Sequence, residues 1–146
     1  MLNPARIGHR YPTYRYEVSR EKIREYALAT GVEDPRIAAD TGDLVAPPTF
    51  AACFTVMRAG AALLDDPELG ATPRLLHSAQ EYDFFRPVRS GDVLDCTPWI
   101  VDVSSRARIE RLVLQVDCVD ADSGEPVVTG RTTLVFLPPP DGEGGA

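Results

Sequence analysis

Few side chains in this 146-residue sequence have the chemistry to move a proton. There are two histidines, His9 and His77. A general base must lie within hydrogen-bond reach of the proton it takes and be held there by a partner, so His77, alone in a stretch of alternating residues, is a weak catalytic candidate, and His9 reads as exposed surface. Asp34, Asp40 and Asp43 would have to meet a histidine across the fold to form an acid–base pair, and Glu81 is a further acidic candidate. The three cysteines, Cys53, Cys96 and Cys118, each sit in apolar sequence, which suits reduced core thiols better than a disulfide framework or a zinc site. Arg86, Arg89, Arg106, Arg108 and Arg111 gather at predicted turns. They read as a solvated face, or else as a patch for a coenzyme A or phosphopantetheine phosphate or an acidic carrier protein. There is no Gly-rich phosphate loop, CxxC, HExxH or GxSxG, so no nucleotide, metal or hydrolase-elbow site is indicated and no cofactor is expected.

The elements that must position these groups follow from periodicity. Tyr14 to Val18 alternates and reads as a strand; Ser19 caps a helix with Ile23, Tyr26, Ala27 and Thr30 at helical spacing, stopped by Gly31. Asp34-Pro35 can open a short helical turn, and 40–45 reads as a loop. Ala46-Pro-Pro-Thr49 then leads into Phe50 to Leu64, a run in which only Thr55 and Arg58 are plainly polar. A helix apolar nearly all round must be covered on most sides, and at about 22 Å it is too short to span a membrane. Alternation at period two marks four more strands, Leu75 to Phe84, Val93 to Val103, Ile109 to Val119 and Val127 to Leu137. Their short connections, carrying Pro87, Gly91-Asp92 and Asp122-Ser-Gly124, make them antiparallel. In the third of these, Leu112, Leu114, Val116 and Cys118 form one apolar face, while Val113, Gln115, Asp117 and Val119 form a mixed one. The whole is an α+β domain, a single hot-dog fold in which about five antiparallel strands wrap a central apolar helix, spanning 1–137 with a disordered tail over 138–146. Its sheet edges invite pairing, so a dimer is expected.

A net charge of -7 opposes nucleic-acid binding, and no run of 18 apolar residues exists. The opening MLNPARIGHRYPTY lacks the apolar stretch of a secretory signal, so a cytoplasmic protein without membrane attachment is expected.

Leu44-Val-Ala-Pro-Pro-Thr-Phe50, Leu76-His-Ser-Ala-Gln-Glu-Tyr-Asp-Phe-Phe-Arg-Pro-Val-Arg-Ser-Gly-Asp92 and Tyr16-Glu-Val-Ser-Arg-Glu-Lys-Ile-Arg-Glu-Tyr-Ala27 resemble the MaoC-like (R)-hydroxyacyl-thioester dehydratases. The closer similarity is to their N-terminal-type, FAS1-like half and to the mycolic-acid-type heterodimer subunits. The resemblance implies a catalytic motif Gly-Asp-x-Asn-Pro-x-His, whose Asp and His handle the water and the proton next to the thioester carbonyl. This chain reads Gly31-Val-Glu-Asp-Pro-Arg-Ile37 there, so Val32 and Ile37 stand where the dyad would be and neither can carry a proton. The resemblance therefore implies a subunit that binds acyl thioesters of coenzyme A or acyl carrier protein, in fatty acid or polyketide metabolism, beside a dyad-bearing hot-dog partner. Thr49, Phe50, Phe54 and Met57 are its candidate acyl-tunnel residues, with ordinary core packing as the other reading of the three apolar ones. Two alternatives stand beside it. One is a self-sufficient homodimeric dehydratase or thioesterase using Asp34, Glu81 or His77. The other is a non-enzymatic acyl-ligand or interaction module.

Overall fold

The computed structural model describes residues 1–38 and 42–138; part of the expected 40–45 loop and nearly all of the expected disordered tail lie outside the described residues. Strand β1 (Tyr14–Glu17) leads to helix α1 (Arg20–Thr30), where the Ser19 hydroxyl accepts from the Lys22 amide at 3.1 Å and Gly31, at φ 71°, ends the helix in the left-handed conformation that glycine tolerates best. Ile23 and Ala27 are its buried face. The short helix α2 (Pro35–Ala38) follows, opened by Asp34, whose carboxylate accepts from the Arg36 amide at 2.9 Å.

The expected helix over 50–64 is present as three pieces: a 3-10 turn (Pro48–Ala51), α3 (Ala52–Thr55) and α4 (Met57–Leu64). The break falls at Val56, whose φ and ψ are -98° and -57°. Thr55 precedes it, donating its hydroxyl to the Ala51 carbonyl at 2.8 Å, a back-bond that bends helices.

Four long strands complete one sheet: β2 (Leu75–Phe84), β3 (Val93–Arg106), β4 (Ile109–Asp120) and β5 (Pro126–Phe136). The order is β1-β3-β4-β5-β2, all pairs antiparallel, so β1 and β2 are the edges. The β3–β4 turn is tight. Only Ala107 and Arg108 remain outside the strands, at φ 50° and 67°, the left-handed pair that a two-residue hairpin demands. Leu112, Leu114, Val116 and Cys118 are buried together on the helix side with Leu94, Cys96 and Ile100. Cys96 and Cys118 are buried free thiols directly opposite one another, and Cys53 is half-buried.

The segment before β1 takes a structural part that periodicity does not reveal. Leu2 is buried, and Arg6 donates to Asp66 at 2.7 and 3.1 Å and to Glu68 at 2.7 Å, while Tyr11 donates to the same Asp66 carboxylate at 2.8 Å. His9 is half-buried rather than exposed, its ring edge-on to Tyr11 at 4.8 Å, because this arm lies against β3 through the Arg10–Trp99 bridge.

Candidate ligand-binding face

The helical column α3–α4 is fixed at its entry and along its length. The loop before it is tied to the turn after β2: Ala46 donates to the Val88 carbonyl and Leu44 to the Ser90 hydroxyl, at 2.8 and 2.9 Å. Phe50 and Phe54 lie 6.2 Å apart, centroid to centroid, with Tyr26 edge-on to the first and Tyr16 tilted against the second. Neither phenylalanine has any accessible surface. Tyr14 donates to the Phe54 carbonyl, and Arg58 lies over the Tyr14 ring. Below the column Gly130 leaves room for the helix: a Cβ there would meet Thr55 and Tyr82 at 3.2 Å.

Of the four candidate tunnel residues, the structure thus places Phe50 and Phe54 inside the core and leaves Thr49 and Met57 on the surface, Met57 with 75% of its area open. Met57, Ala61 and Leu64, spaced to share one face of α4, are all exposed, while Ala59 and Leu63 on the sheet side are fully buried. The expectation of a helix covered on most sides is met on the sheet side alone within one chain.

The candidate acid–base residues are not brought together. Val32 is 38% exposed at the end of α1, and Ile37 falls within α2. Asp34 is held by Arg36 through side-chain contacts of 2.6 to 3.1 Å, and that hydrogen bonding keeps its carboxyl below the usual range and ionised. Asp43 and Glu81 are exposed, and Asp40 lies outside the described residues. Among the described residues neither His9 nor His77 touches a carboxylate, and no group of three or more His, Cys, Asp or Glu residues is placed to hold a metal. Of the arginines at the turns, Arg86 pairs with Asp92 and Asp120 at 2.8 and 3.2 Å and Arg111 with Asp102 at 3.0 Å.

The position of His77 departs from simple alternation. Simple alternation puts it on the opposite face from Gln80, Tyr82 and Phe84. In the structure a bulge interrupts β2 at Ser78, so that His77 pairs with Leu134, Ala79 with Thr133 and Gln80 with Thr132. The extra residue reverses the parity, and His77, Gln80, Tyr82 and Phe84 all project to the helix side. There His77 Nε2 lies 3.1 Å from Gln80 Oε1, which also accepts from the buried Thr132 hydroxyl at 2.8 Å. Among the described residues Gln80 Nε2 is buried without a hydrogen-bond partner. Burial pushes the Tyr82 phenol up from its ordinary value. What results is a partly polar, largely apolar face between α3–α4 and the β2 edge.

Residues 5–130 match the family described as the FAS1-like, dehydratase domain region. The chain belongs to this family. Over 143 residues it is 39% identical to a UPF0336 protein of Saccharopolyspora erythraea, the match covering 92% of this chain and 90% of that one. Among solved structures it resembles a chain of the C-terminally truncated HadBC (3R-hydroxyacyl-ACP dehydratase) complex from Mycobacterium tuberculosis, with 31% identity and a TM-score of 0.71, covering 89% of this chain and 96% of that one. A MaoC-like dehydratase gives 28% identity and a TM-score of 0.72, covering 91% of this chain but 42% of that longer one. The FAS1-like frame is therefore a hot-dog of MaoC-like dehydratase type, as the residues before the central helix and along β2 suggested. Among the described residues of this FAS1-like domain no helix is long and apolar enough to cross a membrane. Sequence reasoning passed over Gln80 and Thr132. The one signal for them was the pair of small residues Ser78-Ala79 inside an otherwise alternating strand, and it does not by itself specify a bulge.

Proposed function

We propose that this chain is the substrate-binding, dyad-lacking subunit of a cytoplasmic (3R)-hydroxyacyl-thioester dehydratase, completed by a hot-dog partner that carries the catalytic Asp and His. The observation that carries the reading is the uncovered apolar face of α4, with Met57, Ala61 and Leu64 exposed beside an edge strand that bears the exposed Phe84. A second hot-dog laid on this side would cover apolar surface, pair the β2 edge and enclose a channel between the two helices. The partial match to a longer MaoC-like chain fits the same arrangement, since more than half of that chain lies outside the match.

In such a pair the partner's dyad would take the proton next to the thioester carbonyl and assist departure of the β-hydroxyl. Val32 would contribute apolar surface where the partner has a reactive group. Met57 and Thr49 would line the channel, with Phe50 and Phe54 as rigid backing behind them. Co-expression with a dyad-bearing hot-dog protein from the same genome tests this. The two chains are expected to purify as one complex that dehydrates a (3R)-hydroxyacyl thioester, the chain alone being inactive. Enzyme-like turnover by the chain alone would overturn the reading.

A further inference from the structure

Two cations of this acidic chain converge on β1 from different helices. Tyr14 and Tyr16 pair with the buried Cys96 and Leu94, so both rings face the helices. Lys22, the only lysine in the sequence, comes from α1 and sets its Nζ 5.7 Å from the centre of the Tyr16 ring. Arg58 comes from α4 and sets its Cζ 5.6 Å from the centre of the Tyr14 ring. Burial raises the pKa of the Tyr16 phenol and of the Cys53 thiol, and the Arg58 charge opposes it at the first and the Lys22 charge at the second. The two charges therefore flank Tyr16 and the half-buried Cys53. Their neighbours Arg15 and Arg24 are each held by a carboxylate, Asp95 at 2.9 Å and Glu21 at 3.0 Å. Among the described residues Lys22 and Arg58 have none within ion-pair distance, and Arg58 gives one N–H to the Arg15 carbonyl at 3.1 Å. Stacking on a ring fixes the position of a cation without consuming its hydrogen-bond donors. Both residues are exposed, so the remaining donors are accessible.

We infer that Lys22 and Arg58 together bind the phosphate of a phosphopantetheine thioester, the anionic group that coenzyme A and acyl carrier protein have in common. This rests on the functional reading above and adds to it the point at which the carrier end of the substrate is held. Arg58 directly follows Met57, about 100° further round the helix, so the anion site borders the apolar face along which the acyl group would lie. A net charge of -7 repels anions at long range, so a phosphate ligand requires a local positive site of this kind. Arg86 and Arg111 do not supply one, because Asp92, Asp120 and Asp102 neutralise them.

Two ligands that differ only in that phosphate test the site: butyryl-pantetheine and butyryl-4′-phosphopantetheine, titrated into the full chain in complex with its dyad-bearing partner. The wild-type complex is expected to bind the phosphorylated compound about tenfold more tightly, the combined worth of two exposed charge-assisted contacts, and the preference should shrink at high salt. Lys22→Gln and Arg58→Gln should each lower the preference about threefold, and the double variant should bring the two compounds within about twofold of each other. Arg58→Lys, which keeps the charge, should retain most of the preference, whereas Arg89→Gln and Arg106→Gln at the turns should leave it unchanged. Butyryl-coenzyme A and a butyryl carrier protein from the same genome separate the two sources of the phosphate: the one this site serves loses about tenfold in affinity in the double variant. Loss with neither overturns the site. A wild-type preference that survives the double variant, or no wild-type preference at all, also overturns the site and leaves the subunit reading standing. A wild-type complex that binds none of these compounds overturns both.

Discussion

Replacing Met57 by arginine separates a face that waits for a partner from one that merely faces solvent. In the isolated chain 75% of this residue is open, so the substitution should change the stability of the chain alone by no more than about 0.5 kcal/mol. At an interface the same change forfeits the burial of a Met side chain, about 1.5–3 kcal/mol, and sets a charge among apolar groups. Taking about 3 kcal/mol as the minimum sum, association should weaken by more than 100-fold. Isothermal titration of the chain into its hot-dog partner reads the loss directly, and light scattering on a sizing column reads the same loss for self-association. Met57→Leu, which keeps the volume, should behave as wild type. An arginine variant that associates within twofold of wild type would refute the argument, whatever it did to ligand binding.

Three further outcomes follow from contacts already described. Gly130→Ala forces Thr55 and Tyr82 to give by a few tenths of an ångström and should cost about 1–2 kcal/mol, a fall of roughly 2–8 °C in melting temperature; a rise would show that the helix is not seated against this strand. Burial pushes the Asp66 carboxyl up, but hydrogen bonds from Tyr11, Arg6 and the Glu68 amide outweigh it, so its pKa lies below the ordinary value. Its contribution should therefore be fully present above about pH 4 and be lost as the pH falls through the folded-state value. Asp66→Asn should cost about 2–4 kcal/mol at pH 7 in urea unfolding, the gap from wild type closing in acid, and a gap that widened in acid would contradict the sign. Asp34→Asn, at a carboxylate already engaged by Arg36, should leave the turnover of the complex within twofold, and a loss of tenfold or more would restore the self-sufficient enzyme as the better reading.

The parts of the fold that could be read in the sequence are those whose cause is local. Ser19 and Gly31 bound α1 because capping needs only a few neighbouring residues, and the alternation of β4 separates its two faces because side-chain direction in a strand follows position alone. What could not be read depends on distant partners. Asp66 holds Arg6 across 60 positions and Tyr11 across 55, and no periodicity links them. Simple alternation misplaces His77 because one bulge residue inverts everything on one side of it, a change decided by pairing with β5 and not by β2 itself. Phe50, Phe54 and Met57 look alike as helical apolar residues, yet the first two are sealed by Tyr16, Tyr26 and the sheet while the third is open.

That last contrast supports the proposed assembly with a hot-dog partner. A single sheet presents one concave face and can cover one side of a helix, so a column that needed only its own sheet would carry polar residues on the other side. In this chain the outer side carries Met57, Ala61 and Leu64, with Arg58 as the only charged residue in α4, and that arginine is turned toward β1, donating to the Arg15 carbonyl at 3.1 Å. The apolar content of the helix thus exceeds what one hot-dog can bury. The surplus lies beside the β2 edge, whose bulge turns His77 onto the same side of the sheet.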